Sequence, residues 1–135
     1  MNIPAPVFAV ARILLALMFV LAGLSKLGSL EGTAGYIASQ GLPLAGLLAP
    51  AVALFEIVAG LALAIGYQTR IAALLLALFT LVASVIFHAF WAVPAEQAFM
   101  QQLLFMKNLS VVGGLLMVFG LGAGGASVDA RRAAA

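Results

Sequence analysis

Four apolar runs in a chain of 135 residues predict an all-α fold, an antiparallel four-helix transmembrane bundle formed by one domain, residues 1–135. Composition leads to the same place. The chain is 66% hydrophobic and 7% charged, whereas a soluble domain carries about 25% charged residues. With a mean hydropathy of +1.26 it cannot clothe a water-facing surface, and so little chain lies between the runs that only short hairpins can join them. Such a chain lies in a lipid bilayer.

The first run spans about Pro6 to Leu27 and the second about Leu44 to Gly66. The third covers about Thr69 to Trp91 and the fourth about Phe99 to Leu121. Each has the ~20 residues that cross a ~30 Å hydrocarbon core at 1.5 Å per residue. The first is not a signal peptide by its pattern. Met1 to Ala11 contains no Lys or Arg, and the apolar run continues past any cleavage site to Lys26. Between the first two runs, Ser29 to Gln40 is too short and too polar to span. It reads either as an irregular loop or as a short interfacial helix, N-capped by Ser29, with Leu30, Ala34, Ile37 and Ala38 on one face. Gly41-Leu42-Pro43 then breaks any helix before the second span.

Placing both termini in the cytoplasm puts Arg70, Arg131 and Arg132 inside and Lys26, Glu31 and Glu96 outside, as the positive-inside rule requires. Tyr36 and Trp91 then fall at the outer interface and Tyr67 at the inner one. Six basic against four acidic residues reflect topology rather than nucleic-acid binding. With no cysteine, disulfide exchange, thiolate nucleophiles and Cys-bound metals or clusters are excluded. His88 is the lone histidine, so bis-His haem within one chain is excluded too, and no metal site is expected.

Glu56 carries the functional reading. It lies midway along the second run, where a carboxylate costs a few kcal/mol to insert, about 2.5 to 3.5 on translocon scales. Such residues face a bundle interior and pair. Arg12, in the first run, and Lys107, in the fourth, bracket it in depth, and long basic side chains reach from either side. Arg12, Glu56 and Lys107, with Asn108 beside Lys107, are therefore the expected ligand-binding set. The set carries one more cation than anion, which suits an anionic or carbonyl-bearing ligand. The bland alternative is an ion pair that pins helix register. Lys26 reads as an anchor snorkelling at the outer interface, Arg70 as a topogenic charge, and His88 as an interfacial residue or a proton-transfer group. Gly60, Gly113 and Gly114 are expected at close helix contacts.

In order along the chain come Arg12, Gly23 and Lys26, Gly41-Leu42-Pro43, Glu56 with Gly60-Leu61, Gly66 and Thr69-Arg70. Lys107-Asn108, Gly122, Gly124 and Ser127-Val128-Asp129 follow. This ordered set resembles the DoxX family of small four-helix membrane proteins over nearly the whole chain. The resemblance implies a bacterial-type cytoplasmic (inner) membrane protein, a link to thiosulfate:quinone oxidoreductase or redox-stress systems, and a redox-enzyme partner subunit. No redox-active side chain stands among the family's recurrent polar positions, here Arg12, Lys26, Glu56, Arg70 and Lys107, so electrons would reside on a bound quinone or on that partner. The expected function is a quinone- or small-molecule-binding subunit of a membrane oxidoreductase, with catalysis by the chain itself and its oligomeric state left open. The alternatives are a proton-coupled small-molecule exporter and a non-catalytic assembly or scaffold subunit. A carboxylate locked to a cation makes a poor proton carrier, which counts against the exporter.

Overall fold

The computed structural model describes residues 2–135. Its elements are α1 (Ala5–Gly28), α2 (Leu30–Ser39), α3 (Ala45–Ile65), α4 (Thr69–Phe87), a 3₁₀ turn (Phe90–Ala92), α5 (Ala95–Leu121) and α6 (Val128–Ala133). α1, α3, α4 and α5 are long and apolar enough to span a membrane. They form an antiparallel four-helix bundle in which α1 packs most extensively on α3 and α4 on α5.

Each span buries one narrow stripe and leaves the rest of its apolar surface outward, as lipid permits. On α1 the stripe is Phe8, Arg12, Ala16, Phe19 and Gly23, at three- and four-residue spacing. On α3 it is Ala49, Ala53, Glu56, Ala59, Gly60 and Leu63. Small residues let α1 and α3 approach closely. A Cβ on Gly23 would lie 2.7 Å from the Ala53 carbonyl oxygen, and one on Gly60 would lie 2.9 Å from Val20. Gly114 meets Leu15 of α1 in the same way, but Gly113 faces open space and is no packing position. One residue along a helix turns the side chain about 100°, enough to move it from the neighbour to lipid.

The segment between the first two spans is a helix, α2, with Ile37 buried. Ser29 holds its N-cap position, yet no side-chain capping bond forms. Instead the Ser29 carbonyl accepts the Thr33 N–H at 2.9 Å and the Thr33 hydroxyl at 2.8 Å. Ser29 also ends α1, donating its N–H to the Lys26 carbonyl, and its backbone serves both helices at the corner. The last two spans differ from the expected bounds at one end. α4 stops at Phe87, and α5 begins earlier, at Ala95, because Pro94 takes the N-cap position and Glu96 suits the first turn.

The end of the bundle that holds the chain termini is tied by polar contacts. Gly66 ends α3 at φ 73°, and a Cβ there would lie 2.4 Å from Ser127 and 3.0 Å from the Arg12 guanidinium carbon. Ser127 caps α6 by accepting the Ala130 N–H at 3.1 Å. Asp129 accepts hydrogen bonds from the Gln68 N–H, the Thr69 N–H (both 2.9 Å) and the Thr69 hydroxyl (2.7 Å), which caps α4. Gln68 is left-handed at φ 46°, and its bond to Asp129 holds that strained turn.

Candidate functional site

A cavity of about 400 Å³ lies in the half of the bundle away from the termini. All five longer helices line it: α1 from Met18 to Lys26, α2, the first half of α3, the last part of α4, and α5 at Lys107 and Asn108. Its wall is mainly apolar, with Phe19, Ile37, Leu48 and Phe79 among the lining side chains. Its polar members include Lys26, Glu56, Thr80, His88, Lys107 and Asn108.

Glu56 is buried, as its place on the α3 stripe requires, but the cation that meets it is Lys26. The Lys26 Nζ donates to Oε2 at 2.8 Å and to Oε1 at 3.1 Å. This is the ion pair among the described residues. The side chains differ in exposure, 31% for Lys26 and 6% for Glu56, so the ammonium sits near the cavity rim and the carboxylate within. Lys26 is thus no free interfacial anchor. It continues the α1 stripe three residues beyond Gly23, and that spacing, with Gly23 as the close-approach point to α3, is the signal that reveals its role.

Arg12 goes elsewhere. Its guanidinium donates to the carbonyls of Ala64 (Nη2, 3.2 Å), Ala126 (Nη2, 2.9 Å) and Ala123 (Nη1). It is 2% exposed, and it knots the end of α3 to the segment before α6. Arg12 and Lys26 lie about 21 Å apart along α1 at 1.5 Å per residue, so they serve opposite halves of the bundle. The expected pairing of Glu56 with Arg12 or Lys107 is therefore corrected. Carbonyls left unpaired at the end of α3 and in the tail lie nearer to Arg12 and suit the five donors of a guanidinium.

Lys107 lines the cavity, is exposed overall, and has no hydrogen-bond or ion partner among the described residues. Asn108 is buried on the α5 stripe and donates from Nδ2 to the Ser84 hydroxyl of α4 at 2.9 Å. Ser84 donates in turn to the Thr80 carbonyl, and Thr80 to the Leu76 carbonyl, both at 2.7 Å. His88 is half-buried at the end of α4, with Nδ1 2.8 Å from Oε1 of Gln101 on α5. Gln101, which does not itself line the cavity, is a partner of His88 that composition does not flag, since a glutamine near a helix start looks interfacial.

A second cavity, of about 390 Å³, lies at the terminal end between Arg70, Gly122 and Asp129. Its charged groups cap helix ends: Asp129 holds the start of α4, and Arg70 Nη1 donates to the Phe119 and Gly120 carbonyls of α5 at 2.5 and 2.8 Å. Arg70 is thus a C-cap as well as a basic residue at a span end. No group of three or more His, Cys, Asp or Glu that could hold a metal ion occurs among the described residues.

Four apolar spans around a mainly apolar cavity with one ion pair define a polytopic membrane protein with an internal polar site. Residues 7–89 match the DoxX family model, and the chain belongs to the DoxX family. It is 39% identical over 120 residues to the inner membrane protein YqjF of Escherichia coli K12, covering 89% of this chain and 87% of that one. Against the inner membrane protein YphA of the same organism it is 33% identical over 122 residues, covering 90% and 87%. A shorter likeness, 36% over 70 residues, links half of this chain to 26% of a Surfeit locus protein 4 homolog of Drosophila melanogaster. No solved structure matches the chain. The matched segment contains Lys26 and Glu56 but ends before Lys107 and Asn108.

Proposed function

We propose that this DoxX protein is a quinone- or small-molecule-binding subunit of a membrane oxidoreductase or redox-stress system. It would lie in a bacterial inner membrane, with both termini cytoplasmic. The cavity carries the reading. Its apolar wall suits a ring and tail, and Lys107, a cation without a partner among the described residues, suits a carbonyl or anionic oxygen. The site is therefore centred on Lys26, Glu56 and Lys107, with Asn108 held by Ser84 as part of the wall. A quinone bound there would supply the redox chemistry, while the chain supplies shape, charge and exclusion of water.

The inner-membrane placement rests on the likeness to the two Escherichia coli inner membrane proteins. Orientation rests on Arg70, Arg131 and Arg132, which sit at the span ends nearest the termini. Reporter fusions after Arg70 and Arg132 should read cytoplasmic and one after Glu96 external. An external C-terminus overturns the orientation. The exporter reading needs a carboxylate free to exchange protons, and both Glu56 oxygens are engaged by Lys26.

A short-chain quinone titrated calorimetrically into the protein in nanodiscs tests the reading. Wild type and Arg131→Gln should bind alike, and Lys107→Gln about tenfold more weakly, the scale of a hydrogen bond from a charged donor. No binding to wild type would leave the scaffold reading in its place.

A further inference from the structure

Resting on that binding reading, we infer that the cavity opens sideways into the bilayer between α3 and α4. Its ligand is then a membrane-dissolved amphiphile, with its head group inside the bundle and its alkyl chain lying out through that gap, rather than a solute taken from water.

The inference starts from the faces that α3 and α4 turn towards each other. Phe55 of α3 and Phe79 of α4 stack with ring centroids 5.1 Å apart. Away from the termini the same faces continue as Val52 and Leu48 on α3 and Val82 and Ile86 on α4, at three- and seven-residue spacing. These residues all line the cavity, so its wall runs along the seam between the two helices. That seam is loose, since α3 packs far less extensively on α4 than on α1. Val82 is the telling residue. It lines the cavity and is nevertheless 58% exposed, which marks an opening. It lies about 20 Å along α4 at 1.5 Å per residue, within a ~30 Å hydrocarbon core, so the medium outside it is lipid.

α2 covers the far end of the gap. It packs on α3 with Ile37 buried, and its Tyr36 ring reaches across to Phe87 of α4, with centroids 5.2 Å apart. The mouth therefore lies between two aromatic pairs, Phe55–Phe79 near mid-membrane and Tyr36–Phe87 at the end of the span. Besides Tyr36 and Val82, the exposed member of the cavity wall is Lys107 on α5. An ammonium suits the polar end of a ligand and not its chain. A chain leaving past Val82 exchanges one apolar surrounding for another, so its length carries no penalty.

Two trimethyl-1,4-benzoquinones, one with an ethyl and one with a hexadecyl chain, test this. Their fully substituted rings resist attack by lysine and thiol groups. Each competes with a tritiated decyl homologue for the protein in nanodiscs, with amounts expressed per lipid and empty nanodiscs as the baseline. Wild type should bind the two within about threefold of each other, because the long chain stays in lipid throughout. A cavity sealed against lipid would instead push the chain towards water, at about fourfold in affinity per methylene. Val82→Trp, which narrows the mouth, should weaken the hexadecyl quinone about tenfold or more and leave the ethyl one unchanged. Met117→Trp, on the lipid-facing side of α5 and outside the cavity wall, should change neither. The chain has no cysteine, so Val82→Cys can be folded first and then capped at that one thiol. A benzyl cap should weaken the hexadecyl quinone and a methyl cap should not, which decides the matter if Val82→Trp fails to fold. Binding of the ethyl but not the hexadecyl quinone to wild type overturns the inference and leaves the quinone reading standing. So does hexadecyl binding that neither Val82→Trp nor the benzyl cap weakens, since the chain would then leave by another route. Failure of both quinones to bind wild type overturns both readings.

Discussion

Removing Lys26 should damage this protein more than removing Glu56, although the two form a single ion pair. Losing one partner of a buried pair costs about 3 to 5 kcal/mol because the survivor is left uncompensated. The pair here is lopsided, with side-chain exposures of 31% for Lys26 and 6% for Glu56. In Lys26→Met the survivor is a carboxylate held inside the bundle, and the full figure of about 3 to 5 kcal/mol applies. In Glu56→Leu the survivor is an ammonium near the rim, whose flexible stem can carry it towards water, which discounts the loss to about 1 to 2 kcal/mol. The double variant should recover most of the larger loss, because an apolar pair of similar volume replaces the ions without desolvating either. The assay is a double-mutant cycle on reversible unfolding in mixed SDS and mild detergent, followed by Trp91 fluorescence. Equal losses in the two single variants, or a coupling energy below about 0.5 kcal/mol, would refute the claim that burial of Glu56 sets the cost.

Gly23→Ala should cost about 1 to 3 kcal/mol, since the new methyl would meet Ile57 at 2.6 Å and the Ala53 carbonyl at 2.7 Å and force α1 from α3; unfolding by the same assay checks it, and a neutral result would mean the helices part freely. Arg12→Leu should free the C-terminal segment while leaving the cavity end intact, because the guanidinium bonds to Ala123 and Ala126 are what tie that segment to α3. Limited proteolysis at Arg131 should accelerate in that variant, with quinone binding unchanged. Burial raises the pKa of Asp129, but hydrogen bonds from Thr69 and Gln68 and the charge of Arg132 outweigh it, and the value ends below the ordinary carboxylate range. A folded pKa below the unfolded one means stabilisation that is present at neutral pH and lost as pH falls through the folded value. Hydrogen exchange around Gly66 to Arg70, corrected for its intrinsic pH dependence, should rise in acid for wild type and already be high at pH 7 in Asp129→Asn. Equal protection of the two at pH 7 would remove Asp129 as the cap of α4.

Much of the architecture was legible because lipid imposes a length and an apolar composition that few other environments demand. The four spans, the bundle, the break at Gly41-Leu42-Pro43 and the inward face of Glu56 all follow from periodicity and from the cost of a charge in hydrocarbon. Asn108 was legible as a polar residue beside Lys107, but its bond to Ser84 of α4 was not. The choice of cation was not legible. Arg12, Lys26 and Lys107 are all long enough to reach Glu56 in principle, and depth along separate helices says nothing of which side chain faces which.

Tertiary structure decided that choice through two local facts. Close contact at Gly23 brings the last turns of α1 against the middle of α3, which puts Lys26 within 2.8 Å of Glu56. At the other end, the tail returns over α3 and offers Arg12 the carbonyls of Ala123 and Ala126. That return depends on contacts between residues more than a hundred positions apart, which no local pattern encodes. Composition and periodicity thus determined that this chain lives in a membrane as four helices with a buried carboxylate. Only packing decided where its cavity lies and which charges face it, because a side chain's partner is set by the register between helices and not by its own helix.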